Sequence, residues 1–216
     1  MRYKAVVFDL DGTLLNTLED LYLATNHALG VYNLPPRTRE EVRSYVGNGY
    51  RNLVRLAVPE GTPDALQEQV LEEFNSYYLP HSEDHTGPYP GIPELLERLK
   101  AQGLPLAVIS NKGDAAVRHL MDKTFPGTFA AVAGEKEGVR RKPAPDTMLA
   151  AMAQLGVTAD EVVLVGDSEV DVATAHNTGC DCIAVTWGFR SVEQLKEAGA
   201  TVLADSCEAV EQAIVG

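Results

Sequence analysis

The sequence predicts an α/β protein with a doubly wound parallel sheet, interrupted after its first strand by an all-helical insert. From residue 88 to the end, apolar runs typical of buried strands alternate with segments of helical periodicity. Between residues 17 and 80 only helical periodicity occurs. Because alternating strands and helices form parallel sheets covered on both faces, we expect one sheet. We assign 1–15 and 87–216 to the core and 16–86 to a helical cap domain.

The first strand is predicted where an apolar run starting at Ala5 leads into Asp9, Asp11, Gly12 and Thr13. Side chains alternate along a strand, so both carboxylates share one face if the strand continues to Asp11. Two carboxylates so close need a cation between them, or one of them must keep its proton. A plain Asp-Gly turn is the alternative, but it leaves Asp9 at the end of an apolar strand without a partner. We interpret Asp9 as the reacting group.

Four helices are predicted in the cap, over 18–29, 38–46, 51–58 and 63–79. Two stretches have the spacing of a capping box, Thr17-Leu-Glu-Asp20 and Thr38-Arg-Glu-Glu41. Gly47-Asn48-Gly49 ends the second helix. The linkers near residues 15–16 and 86–87 are expected to act as hinges.

The core continues with alternating elements. Strands are predicted over 104–110, 129–133, 162–165, 182–185 and 201–203, and helices over 93–102, 115–123, 145–155, 168–177, 192–198 and 209–215. In open parallel sheets, ligands bind at the carboxyl ends of the strands. The residues that follow each strand are therefore the candidates for a site.

Two further strand ends carry polar residues. Ser110-Asn111-Lys112-Gly113 offers a hydroxyl and N–H groups suited to phosphate, although a turn explains Asn and Gly equally well. Gly166-Asp167 places another acid after a buried strand, and we expect Asp167 to bind a metal. Asp171 either supports that site or only caps a helix, since it has capping-box spacing to Ser168.

Lys142 is the candidate cation. Pro143 favours an extended backbone at Lys142, which keeps this residue out of the following helix. A solvated basic loop is the alternative. In an acidic protein, however, an ammonium group is well suited to a carboxylate cluster and a phosphate.

Composition limits the partners. The chain has 18 basic and 31 acidic residues and a net charge of −13, which repels nucleic acid and anionic membranes. An anionic substrate must therefore be bound by local cations. The sequence shows neither an apolar run of membrane-spanning length nor a signal-peptide pattern, so we expect a cytoplasmic protein. Its oligomeric state is not readable from the sequence.

The ordered set Asp9-x-Asp11-Gly12-Thr13, Ser110, Lys142 and Gly166-Asp167 with Asp171 resembles the four signature motifs of the haloacid dehalogenase-like hydrolases. The stretches Val46-Gly-Asn-Gly49, Ser110-Asn-Lys112, Gly134-Glu-x-Glu-Gly138 and Lys142-Pro-x-Pro145 are similar to the phosphoglycolate phosphatase branch. The resemblance implies a Rossmann-like core, a helical cap and a Mg²⁺-dependent phosphatase acting on a small phosphorylated metabolite.

Residue types and resemblance together suggest roles. A carboxylate needs no base to act as a nucleophile, so Asp9 can form an aspartyl phosphate. Asp11, held protonated by neighbouring acids, would donate a proton to the leaving group and later accept one from water. The implied Mg²⁺ ligands are Asp9, the backbone carbonyl of Asp11, and Asp167. The candidate phosphate-binding residues are Thr13, Ser110, Asn111 and Lys142.

The choice of substrate is left open. Gly47, Asn48, Gly49 and Arg51 could bind a carboxylate-bearing leaving group such as glycolate, or they could form only a turn between helices. Members of the family that cleave carbon–halogen bonds lack an acid at the position of Asp11, so the resemblance argues against that reaction here. A β-phosphoglucomutase-like phosphotransferase, a pyrophosphatase and a non-enzymatic phospho-receiver domain are the alternatives.

Overall fold

The computed structural model describes residues 2–216 and contains one six-stranded parallel sheet. Its strand order is β5-β4-β1-β6-β7-β8, with β1 at the centre. The strands of the chain are β1 (Ala5–Phe8), β2 (Leu15–Asn16), β3 (Gly87–Pro88), β4 (Leu106–Gly113), β5 (Ala131–Glu135), β6 (Val162–Gly166), β7 (Asp181–Val185) and β8 (Val202–Ala204). The predicted fold class is confirmed.

Ten α-helices surround or extend this sheet in the described part of the chain. They are α1 (Leu18–Val31), α2 (Arg39–Tyr45), α3 (Gly49–Ala57), α4 (Asp64–His81), α5 (Ile92–Ala101), α6 (Asp114–Thr124), α7 (Asp146–Leu155), α8 (Glu169–Thr178), α9 (Val192–Glu197) and α10 (Cys207–Val215). Each predicted helix and strand has a counterpart, with shifted ends. No helix within residues 2–216 is long and apolar enough to cross a membrane.

Strand β1 is apolar throughout because helices cover both faces of the sheet. Val6 and Phe8 pack on one face with leucines of α5 and α6, whereas Val7 packs on the other with methionines of α7. This burial leaves the carboxyl ends of the strands as the part of the sheet where polar side chains can gather.

Helices α1 to α4 pack around a separate apolar cluster. Leu21, Leu53 and Phe74 belong to this cluster and are almost fully buried. Phe189, which follows β7 in the core, also belongs to this cluster. A core side chain therefore takes part in the packing of the cap.

The two linkers to the cap pair with each other. Leu15 lies opposite Pro88 and Asn16 opposite Gly87, so β2 and β3 form an antiparallel ribbon. Strands of two residues are too short to give a recognisable alternation in the sequence. The expected hinge segments are thus neighbours in one ribbon.

The predicted capping box at Thr38 is present, since Thr38 Oγ1 accepts the Glu41 N–H at 3.2 Å. The one predicted at Thr17 is absent. Asp20 instead accepts the N–H of His85 and both the N–H and the hydroxyl of Thr86, at 2.7 to 3.1 Å. The Asp20 carboxylate therefore connects α1 to the second linker. It binds groups distant in the sequence instead of the backbone of Thr17 beside it.

Candidate active site

A narrow cavity of about 30 Å³ lies between the carboxyl ends of the central strands and the cap. Leu21, Val46, Tyr50 and Leu53 form its cap wall. The core side supplies its charged and polar groups, namely Asp9, Asp11, Ser110, Asn111, Lys112, Lys142, Asp167, Ser168 and Arg190. The polar residues that follow the strands thus line one cavity at this edge of the sheet.

Three buried carboxylates meet beside one ammonium group. Asp9, Asp167 and Asp171 each have an oxygen within 4.8 Å of the others. Lys142 Nζ donates to Asp9 Oδ1 at 2.6 Å and to Asp171 Oδ1 at 2.7 Å. Burial lowers the pKa of Lys142, but the two carboxylates outweigh it and hold this pKa above its usual value. The ammonium is therefore charged and fixed.

Asp167 is held from two sides. Thr13 Oγ1 donates to Oδ1 at 3.2 Å, and the Phe189 N–H donates to Oδ2 at 2.7 Å. A Cβ on Gly12 or Gly188 would lie 2.4 or 2.3 Å from Oδ2, so both positions require glycine. Burial, aided by repulsion from Asp171, raises the pKa of Asp167 to about 7.

This donor set fits a hard divalent cation. Three carboxylates face a single ammonium, and burial raises the pKa of Asp9 well above its usual value despite Lys142. Carboxylate oxygens are the ligands that Mg²⁺ prefers, and a bound cation would relieve the repulsion among them. The Asp171 side chain, rather than that of Asp11, completes the cluster.

Asp11 has a different environment from the one expected. Its Oδ1 accepts Lys112 Nζ and Thr17 Oγ1, each at 2.6 Å. Strand β1 ends at Phe8, so the alternation that would place Asp11 beside Asp9 does not extend that far. The side-chain partners of Asp11 in the described chain are donors, and the expected crowding by acids is not what holds it.

The candidate phosphate-binding residues separate into two groups. Ser110 and Lys142 line the cavity, and Ser110 Oγ accepts the Lys112 N–H at 3.1 Å, which leaves its hydroxyl hydrogen to donate. The Asn111 amide donates to Gly47 O and Lys142 O, each at 2.9 Å, so its hydrogens are not available to a phosphate. Thr13 is fully buried behind Asp167 and uses its hydroxyl there.

The residues predicted to bind substrate between α2 and the start of α3 also separate into two groups. Gly47 and Gly49 line the cavity together with Tyr50, whereas Asn48 and Arg51 do not. Arg51 forms an ion pair with Glu68 on the exposed surface of the cap. The structure therefore does not bring Arg51 to the cavity, because a carboxylate on the neighbouring helix binds its guanidinium.

Sequence reasoning missed a reciprocal pair of arginines that joins the cap to the core. Arg43 of α2 donates to Gly188 O and Phe189 O, each at 2.9 Å. Arg190 donates back to Val46 O at 2.7 Å and to Arg43 O at 3.3 Å. Gly188, Phe189 and Arg190 follow β7 in the core, so examining the residues after that strand could have found Arg190 from the sequence. Arg43 lies on a cap helix and gives no such signal.

The class of protein follows from this arrangement, in which the central strand leads into a buried aspartate and a helical insert comes soon after it in the chain. The family model described as haloacid dehalogenase-like hydrolase matches residues 6–185, and the chain belongs to that family. It is an enzyme of this hydrolase family, as expected from its motifs.

Several individual proteins of the family are similar to this chain over most of its length. The chain is 35% identical over 213 residues to a phosphoglycolate phosphatase of Pseudomonas putida, covering 96% of this chain and 78% of the relative. A solved structure from Lactobacillus delbrueckii subsp. bulgaricus, provisionally described as a phosphoglycolate phosphatase, is 41% identical with a TM-score of 0.93 over 99% of both chains. CbbY from Rhodobacter sphaeroides, solved in complex with phosphate, is 25% identical with a TM-score of 0.78 over 95% of both.

Proposed function

We propose that this protein is a Mg²⁺-dependent phosphatase that hydrolyses phosphoglycolate through an aspartyl-phosphate intermediate. The observation that carries the proposal is the position of Asp9, which faces the cavity with Lys142 Nζ at 2.6 Å. A carboxylate beside a buried ammonium and two further acids combines a nucleophile with the charges needed to bind a phosphoryl group.

In the proposed reaction, Asp9 attacks phosphorus and the bond to the leaving oxygen breaks. Lys142 and the Ser110 hydroxyl hold phosphoryl oxygens. Asp9, Asp167 and the backbone carbonyl of Asp11 would hold Mg²⁺, which would supply positive charge beside the phosphoryl oxygens and favour the ionised form of Asp9. Catalysis is mainly positioning and charge neutralisation.

Asp11 acts in both halves of the reaction. It gives a proton to the leaving alkoxide, so the alcohol departs neutral. It then takes a proton from the water that attacks the aspartyl phosphate, which releases inorganic phosphate and restores Asp9. Asp11 therefore ends each catalytic cycle in the protonation state in which it began.

The small cavity and the relatives support phosphoglycolate. The cap lies close over the polar groups of the core, and this favours a small phosphomonoester over a large one. Relatives covering nearly the whole chain are named phosphoglycolate phosphatases. The glycolate carboxylate would be bound by N–H groups of Gly47 and Gly49 and by the Tyr50 hydroxyl, which is buried without a partner in the described residues.

The test is release of inorganic phosphate from phosphoglycolate, pyrophosphate, glucose 1-phosphate and nucleotides, with and without Mg²⁺. We expect the highest kcat/KM for phosphoglycolate and activity only with the cation. Asp9→Asn should abolish turnover while the fold survives, whereas Asp84→Asn, a change at an exposed acid paired with His81, should not. Equal weak rates on all substrates would contradict the glycolate assignment. Near-normal turnover by Asp9→Asn would contradict the covalent route, and isomerisation of the sugar phosphate without phosphate release would indicate a mutase.

A further inference from the structure

We propose that Lys112 is the positioning residue for Asp11, and that two cap tyrosines, Tyr50 and Tyr78, complete its position when the cap is closed. This inference rests on the proposed function, since it concerns the proton that Asp11 delivers. It assigns a role in the reaction to a lysine for which the mechanism above has no use.

The hydrogen bonds of Asp11 are divided unequally between its two oxygens. Lys112 Nζ and Thr17 Oγ1 both bind Oδ1 at 2.6 Å, and no side-chain donor in residues 2–216 binds Oδ2. Asp11 lines the cavity. One oxygen is thus fixed from behind, and Oδ2 is left for the proton that goes to the leaving group. A freely rotating carboxyl would present this proton only part of the time.

The position of Lys112 depends on the cap. Its side chain is 1% exposed, and Nζ lies 4.9 Å from the ring centre of Tyr78 and 5.4 Å from that of Tyr50. Both tyrosines belong to cap helices, and their rings pack edge to face at 5.4 Å. Aromatic faces attract an ammonium group and keep water away, which strengthens its bond to Asp11.

Asp11 can carry its proton while it is bound to Lys112. Lys112 Nζ and Thr17 Oγ1 both donate to Oδ1, so Oδ1 serves as the carbonyl oxygen of the neutral acid. The proton then lies on Oδ2, the oxygen without a side-chain donor in residues 2–216. Lys112 thus fixes the orientation of the acid and which of its oxygens carries the proton.

A lysine that merely neutralises a buried acid would produce a different kinetic pattern. Acid catalysis matters most when the leaving oxygen is strongly basic and little when it is weakly basic. Loss of Lys112 should therefore slow alkyl and phenyl phosphates far more than para-nitrophenyl phosphate. A purely structural loss would slow all of them alike.

The experiment measures kcat/KM, which reports steps up to departure of the leaving group, for phosphoglycolate, phenyl phosphate and para-nitrophenyl phosphate. In Lys112→Met we expect losses of about 30-fold or more for the first two and under about threefold for the third. Lys100→Met, a change at an exposed lysine of α5, is the matched control. In an Asp11→Asn background, Lys112→Met should add no more than about a twofold loss, because the two residues act as one unit.

Removing the ammonium leaves a buried carboxylate without its ion-pair partner, so thermal unfolding of each variant is measured first. Tyr78→Leu retains the ion pair and removes one ring, and we expect the same leaving-group selectivity with a loss of about fivefold. If Lys112→Met does not fold, Tyr78→Leu decides. Equal losses for all three substrates, or full additivity with Asp11→Asn, would overturn the role of Lys112. A wild-type protein inactive on every phosphomonoester would instead overturn the proposed function.

Discussion

The cavity contains two buried lysines, Lys142 and Lys112, and the elements that surround them differ between its two halves. Within residues 2–216, the Lys142 ammonium bonds only to core groups, namely Asp9, Asp171 and the carbonyl of Ile109. Lys112 bonds to Asp11 of the core but is covered by two aromatic rings of the cap. The core half, around Lys142 and the proposed nucleophile, is therefore assembled by core segments alone, whereas the half around Lys112 and the proposed proton donor also depends on the cap. A cap that opens would leave the first half intact and expose the second to water.

The largest effect is expected at the core half. Lys142→Met leaves Asp9 and Asp171 as neighbouring buried acids without a counter-charge. We expect phosphatase activity to fall by at least about 10³-fold. Urea unfolding should show a loss of stability of about 3–5 kcal/mol. Lys136→Met, a change at a half-exposed lysine paired with Asp114, is the control. Unchanged stability in Lys142→Met would contradict the view that this ammonium fixes the core half.

The response to a cation should also belong to the core half. The pKa of Asp167 is raised to about 7 in the folded protein without a metal, so the folded state holds a proton that the unfolded state releases near pH 4. The stability that this proton provides is fully present below about pH 4 and is lost as the pH rises through about 7. With a chelator present, the free energy of unfolding should fall across this window. Mg²⁺ should raise it at pH 8.

Asp167→Asn is the matched variant for that experiment. It removes the titrating group and one cation ligand, so both the pH slope and the response to Mg²⁺ should shrink. An identical pH slope in this variant would show that another group titrates.

An intermediate effect is expected where the cap meets the core. Arg43→Gln removes two hydrogen bonds to the loop that carries Phe189, and this favours the open cap. A loss of about 1.4 kcal/mol of closure energy lowers kcat/KM about tenfold. Arg39→Gln, a change on the same helix at an arginine paired with Glu19, should change it less than about twofold. A loss in Arg43→Gln as large as that in Lys142→Met would contradict the division into halves.

The smallest effect is expected at Arg51. Its guanidinium pairs with Glu68 on the surface and lies outside the cavity. Arg51→Gln should therefore change kcat and KM for phosphoglycolate by less than about twofold. A tenfold rise in KM in this variant would contradict this expectation and would indicate that Arg51 contacts the substrate.

The sheet and the place of the site could be predicted because they depend on local pattern. Buried strands are apolar along their whole length, and a polar residue such as Asp9 or Asp167 directly after one is recognisable in the sequence. The partners of Thr17 and Asp20 could not be read in the same way. Capping-box spacing predicts local bonds, but Asp11 and Thr86 compete for these side chains from distant parts of the chain.

Lys112 shows another limit of sequence reasoning. The sequence predicts that the strand ends at Ser110 and that the next residues either bind phosphate or form a turn. In the structure β4 continues to Gly113, and Lys112 is buried within it. A charged residue inside a buried strand needs a counter-charge from another element, here Asp11. Which element provides it is a tertiary fact that spacing does not contain. The sequence supplies only the signal that such a partner must exist.

The ribbon formed by β2 and β3 has a consequence for how such a protein can change. Leu15 and Pro88 lie side by side, so the chain leaves the core and returns to it at neighbouring points. The intervening 70-odd residues are therefore attached to the core in the same way as the loop of a hairpin is attached to its two strands. A longer, shorter or unrelated module could be spliced between those two anchors without altering the order of a single sheet strand. The contacts proposed for the leaving group and the groups proposed to bind the phosphoryl group would thus lie on separable pieces of one polypeptide.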